Sequence, residues 1–204
     1  MKWMAFGAAL LATAVMQAPV TQAAVITFTT SLSGPNEEPP NASPGSGSAV
    51  VTIDDVAETM RIQFDFTGLI GTTTAAHIHC CTATPGAGTA GVATQVPFFV
   101  GFPIGVTSGS YDHTFDLTPA VVSDTYNPTF VTNNGGTVET AAAVLINGLE
   151  EGRAYLNIHS TAFPPGEIRG FLQQVPEPSS LLLLGAAFGG MLPFIRRRYS
   201  ARRS

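Results

Sequence analysis

Lysine is almost missing from this chain: Lys2 is the only one in 204 residues, and charge of either sign makes up just 11% of them. Most of the basic charge lies at the far end, where Arg196, Arg197, Arg198, Arg202 and Arg203 cluster. Across residues 25–174 only Arg61, Arg153 and Arg169 face thirteen acids, a net charge of −10. A surface so acidic does not neutralise a phosphate backbone, which excludes nucleic acid as a partner. With two cysteines the chain is no disulfide-dense scaffold. Its longest apolar runs fall short of the roughly 20 residues of a full membrane span. No internal repeat is visible. Nucleophile elbow, phosphate loop and calcium-loop patterns are all missing, and so is an acid pair whose spacing points to glycoside hydrolysis. Against these absences, an apolar share of 45% and 21 glycines describe a packed, loop-rich globule and not a disordered chain.

The two ends read as addresses. Residues 1–24 have Lys2, an apolar stretch over residues 5–15, and the small residues Ala23 and Ala24 for cleavage, the layout of a secretory signal peptide. At the other end Pro176, Glu177 and Pro178 stop any strand. An apolar run over residues 181–195 follows, then the arginines. The run makes a marginal, short transmembrane segment, and arginines beyond it hold that end on the cytoplasmic side with the domain outside.

This order resembles the PEP-CTERM sorting tail of exported Gram-negative bacterial proteins, over residues 175–204. The resemblance implies an exosortase-type enzyme that recognises and removes the tail. It also implies transient anchoring in the membrane and delivery to the cell surface or extracellular matrix. An oxidising compartment follows, so Cys80 and Cys81 need not stay reduced.

Residues 25–174 are one domain's worth of chain. Ile26, Phe28, Thr30 and Leu32 alternate with their neighbours, and so do Met60, Ile62, Phe64 and Phe66. These patterns predict half-buried strands. A strand over residues 49–53 pairs with the second of them through a short link over residues 54–58, as a hairpin. Further strands are expected over residues 75–79, 92–100, 110–117, 154–159 and 168–173. Residues 137–148 are alanine-rich and predict one short helix, with Gly148 as its stop. The economical fold is all-β, a two-sheet antiparallel sandwich.

The chemistry concentrates in few residues. On a strand, His77 and His79 project to one side, about 7 Å apart. His159 lies in a second strand pattern, with Tyr155 and Asn157 on its own face. If the two strands are neighbours, His77, His79 and His159 form a three-nitrogen site suited to copper or zinc. His113 alternates with Tyr111 and Phe115 and reads as a packed or edge histidine. Cys80 and Cys81 leave three readings open: a vicinal disulfide, bonds to other molecules, or a thiolate joining the histidines, with some disulfide favoured. Glu37 and Glu38 are adjacent, so they do not both face one substrate from an extended segment. Glu167 and Arg169 share one face of the last strand and read as a structural ion pair. The Gly86, Gly88 and Gly91 spacing mimics a dinucleotide fingerprint. It is rejected because strand-like residues, and not a helix, follow it.

Three segments together resemble the CHRD domain, the module repeated in vertebrate chordin and found singly in exported bacterial proteins. They are residues 32–40 (LSGPNEEPP), residues 75–79 (AAHIH), and residues 155–159 (YLNIH) running on to residues 165–170 (PGEIRG). The resemblance covers about residues 26–172 and implies an immunoglobulin-like β-sandwich without a defined reaction. Carried over, the family's His-x-His is His77 and His79, and its Asn-x-His is Asn157 and His159. Where many members have glycine after His-x-His, this chain has Cys80 and Cys81. The histidine set is also similar to the copper side of Cu/Zn superoxide dismutase, but without a bridging histidine or a zinc ligand set.

Three functions are weighed. The expected one is a non-enzymatic surface or matrix module that binds extracellular polysaccharide or a surface protein and holds copper or zinc through its histidines. The alternatives are a copper-dependent redox enzyme of superoxide dismutase type and a metal-free structural module whose histidines only hydrogen-bond.

Overall fold

The computed structural model describes residues 25–176. The expected signal peptide, the apolar segment, Glu177 and Pro178 lie outside the described residues. Within them, no helix is long and apolar enough to cross a membrane.

Eight strands follow in chain order: β1 (Val25–Ser33), β2 (Ser46–Asp54), β3 (Thr59–Thr67), β4 (Thr73–His79), β5 (Gly109–Asp116), β6 (Tyr155–Ser160), β7 (Ile168–Phe171) and β8 (Gln173–Gln174). The fold is all-β, as the sequence pattern requires. All seven strand pairs are antiparallel. They join into one hydrogen-bonded sheet in the order β4-β6-β7-β1-β2-β3-β5, with β8 also on β1. Strand β1 makes this possible. It pairs with β2 along its whole length, while its other edge meets β8 at Phe28 and Thr29 and β7 at Ser33.

The β2–β3 hairpin shows how sequence sets register. The Asp54 carboxylate accepts the amides of Val56 and Ala57 at 3.0 and 2.8 Å, and Glu58 takes the positive φ of 51° that closes the turn. Met60, Ile62, Phe64 and Phe66 then face the core while Arg61 and Asp65 face water. A one-residue slip would invert all of them.

Residues 92–100, expected as a strand, are instead an irregular strap. Val92 and Thr94 make single bridges to His79 and Tyr126. Pro97 then removes a ladder donor, and Gly101 and Gly105 turn the chain at φ of 76° and 80°. The apolar pattern here serves core filling: Phe99 and Phe102 are buried among Phe64 and Tyr111. The strap also links the outermost strands. On β4, Ala93 donates to the Ile78 carbonyl and Thr73 to that of Val106; near β5, the Tyr111 hydroxyl donates to Val100. The two ends of the sheet thus curl around one core.

Two α-helices cross from β5 to β6. Helix α1 (Pro128–Asn133) was not foreseen, although Asn127 as N-cap and Pro128 at the first turn are its signature. Helix α2 (Val138–Glu150) begins at Thr137, which forms a capping box with Thr140. It runs through Gly148, and the turn out of it is made by Gly152 at φ 66°. Gly148 has another purpose. The helix backbone lies flat on the bonded Cys80 and Cys81 sulfurs, and a Cβ at this position would overlap both. Gly148→Ala is therefore expected to destabilise the domain by about 1–3 kcal/mol through overpacking. An unchanged denaturant midpoint would show that helix and disulfide are not in this close contact.

Candidate metal centre

Strands β4 and β6 are neighbours, with Ala75 opposite His159, His77 opposite Asn157 and His79 opposite Tyr155. Because the side-chain period is two, all three histidines emerge on one face. Their ring centroids form a near-equilateral triangle, 5.2 Å from His77 to His159 and 5.8 Å along the other two sides. One nitrogen from each ring lies within 4.8 Å of the other two.

The outward nitrogens explain which atoms face inward. His77 Nε2 lies 2.7 Å from the Pro97 carbonyl, His79 Nδ1 2.9 Å from Ala90, and His159 Nδ1 2.9 Å from Pro164. A carbonyl only accepts, so each of these nitrogens carries the proton. The lone pairs are left on His77 Nδ1, His79 Nε2 and His159 Nε2. His77 Nδ1 and His159 Nε2 face each other at 3.4 Å, and His79 Nε2 is buried with no hydrogen-bond partner. Burial pushes His77 and His79 down to about 4, against the opposing pull of their carbonyl bonds, and it lowers His159 as well. All three rings are neutral near pH 7.

Neutral imidazoles whose second nitrogen donates to a fixed acceptor are the usual form of histidine metal ligands. With Zn–N bonds of about 2.0–2.1 Å, tetrahedral ligand nitrogens sit about 3.3 Å apart, so the His77–His159 separation fits. The orphaned His79 Nε2 is the atom a metal would satisfy. The donor set suits copper or zinc.

Around the rings lies a layer that sequence reasoning largely missed. Tyr155 stacks on His79 at 4.8 Å with planes 6° apart, and its hydroxyl takes the Ala90 amide, beside the carbonyl that orients His79. The Arg169 guanidinium lies 4.7 Å from the Tyr155 ring centre. It donates to the carbonyls of Asn36 and Gly88 at 2.5 and 3.0 Å, pinning two loops to the sheet. Glu37, 3.8 Å from Arg169, is pushed up to about 7 by burial, against the pull of Arg169 and of the Asn157 amide. Asn157 and Tyr155 were legible as face-mates of His159. Glu37 carried no signal beyond its place in a Pro-rich loop.

The other residues singled out in the sequence are also placed. Cys80 and Cys81 are bonded to each other, so neither thiolate joins the histidines. Glu167 and Arg169 do not form the expected ion pair. Residues two apart on a strand stand about 7 Å apart, and each has nearer loop partners. The Glu167 carboxylate accepts from the Ser43 hydroxyl at 2.7 Å and from the amides of Ile70 and Gly71 at 2.5 and 3.2 Å. Burial pushes this carboxyl up, but bonds from Ser160, Ser43 and those amides outweigh it and hold it below the ordinary value. His113 packs edge-on against Phe115, on an outermost strand. The glycine loop over residues 86–91 leads into the bridge at Val92 and not into a helix. Pro176, first of the three sorting residues, is exposed at the end of the described chain.

An antiparallel β-module with a buried three-histidine face is the class defined by this geometry. The model of the CHRD domain matches residues 28–172, and the chain belongs to that family. The PEP-CTERM protein-sorting motif matches residues 174–198. That motif is a sorting signal read by an exosortase, and it implies export and membrane-associated sorting in a Gram-negative bacterium. No curated protein and no solved structure is similar enough to match the chain.

Proposed function

We propose that this protein is a non-enzymatic surface or matrix module in which His77, His79 and His159 hold one copper or zinc ion. One observation carries the reading. Each ring spends its N–H on a backbone carbonyl, so three lone pairs face one another with no proton between them. Such an arrangement is unfavourable until a cation enters, because buried acceptors without donors cost about 1–3 kcal/mol each. The metal would tie β4 to β6 and, through Ala90 and Pro97, fix the strap and the glycine loop. The acidic surface suits a partner without phosphate, an extracellular polysaccharide or a surface protein, held at the cell exterior after the tail is processed.

The test is metal analysis of the full chain. One copper or zinc per chain, lost in both His77→Ala and His159→Ala, is the expected result. Metal-free protein whose stability ignores added copper and zinc would mean that the histidines only anchor loops. A redox assay on the copper-loaded form separates the binding module from a superoxide dismutase-type enzyme, and no turnover is expected.

A further inference from the structure

The ligand set is uncharged throughout. Behind each imidazole stands a backbone carbonyl, that of Ala90, Pro97 or Pro164, where many metal sites place a carboxylate. Among the described residues, the hydrogen bonds of the three rings go to these carbonyls and to each other. A divalent ion held here keeps its full double charge.

A fixed positive charge stands close by. Tyr155 lies between His79 and the Arg169 guanidinium, and the positive charge of Arg169 acts on His79. Glu37 and Glu38 meet the guanidinium at 3.8 and 4.0 Å. Three protein ligands also leave one position of a tetrahedral site open, the feature that separates reactive sites from closed structural ones.

Access and size set the rest. His77 and His79 are 6% and 8% exposed, whereas His159 is half-buried, so the open side is the His159 flank. Two open clefts lie elsewhere. One of about 470 Å³ covers β2, β3 and β5 around Gln63 and Asp112, and one of about 510 Å³ lies around Glu38, Phe171 and Gln173. Neither has a site histidine in its wall, and with two of the three ligand rings less than a tenth exposed the approach to the metal suits a ligand of a few atoms.

We propose that the three-histidine centre, once metallated, takes a small inorganic anion as its fourth ligand. This rests on the metal reading above. The step is a ligand exchange: a bound water leaves, an anion donates a lone pair in its place, and the metal keeps its oxidation state.

The full chain loaded with Cu(II) and titrated with azide tests it, with benzoate as a bulky anion of the same charge. Azide is expected to produce a saturable charge-transfer band and a changed electron paramagnetic resonance spectrum, with binding roughly tenfold or more tighter than benzoate. A copper spectrum that azide does not change overturns the open position while leaving the metal site standing. Equal affinity for azide and benzoate overturns the size limit. Failure to retain copper at all overturns the metal reading itself.

Discussion

His159→Ala is expected to weaken zinc or copper binding by more than 100-fold while leaving the β-sheet intact. The magnitude has a lower bound: removing only the hydrogen-bond partner behind a metal-bound histidine costs about 10- to 100-fold. Here a ligand atom itself goes. His159 lies diagonally across from His77, and without it the remaining nitrogens of His77 and His79 both come from one strand. The cleanest readout is thermal. Metal at 100 times its dissociation constant stabilises a native protein by about 2.7 kcal/mol. For a domain of this size that raises the melting temperature by about 5–11 °C. Wild type is expected to show the rise and His159→Ala to lose it. The same melts without metal supply the control. There the variant loses the bond to Pro164, worth about 1 kcal/mol, and the ring contacts with His77 and His79, and is relieved of a lone pair that faces His77. A metal-induced rise that survives the substitution would place the ion elsewhere.

What the sequence revealed divides along local and non-local lines. The β2–β3 hairpin was legible because Asp54, Glu58 and the alternation from Met60 to Phe66 all act within a few residues of one another. The face shared by His77 and His79 was legible for the same reason, since a strand's period is two. That His159 joins them depends on β4 and β6 being neighbours, a pairing across some eighty residues that no spacing encodes. Residues 92–100 misled because filling a core from a strap and filling it from a strand need the same apolar side chains. Gly148 misled in another way. Glycine marks both a helix stop and a close backbone approach, and only the position of the Cys80–Cys81 pair decides between them. The Glu167 and Arg169 pair failed because sharing a strand face fixes direction but not partner. The partners that complete each residue came from the loop segments at Asn36, Ser43, Ile70, Gly71 and Gly88.

In the metal-free protein, stability is expected to fall steeply as pH drops from about 6.5 to about 4. His77 and His79 are both depressed to about 4 by burial, from an ordinary 6.5. A group whose folded pKa is depressed contributes stability that is fully present above its unfolded value and is lost as pH falls toward the folded one. The unfolded chain takes up these protons near pH 6.5, and the native rings refuse them until about pH 4. Each ring is worth about 3 kcal/mol over that window, a sizeable part of the 5–15 kcal/mol of a whole domain. Glu37 works in the opposite sense. Raised to about 7, it favours the native state below its unfolded pKa and withdraws that support as pH rises through 7, so it blunts the acid limb without reversing it. Glu167, held below the ordinary carboxylate value, adds its own loss only in the more acidic range. Melts across this range check the assignment when His77→Gln is compared with wild type. Glutamine keeps a donor for the Pro97 carbonyl but has nothing to titrate near 6.5, so the limb between pH 6.5 and 4.5 is expected to become shallower by about one proton's worth. A limb of the same slope in that variant would show that His77 takes no part in the acid sensitivity. Protons and metal compete for the same lone pairs. Because the native rings accept protons only near pH 4, proton competition is expected to release the ion from the folded module there and not at the pH where this limb begins.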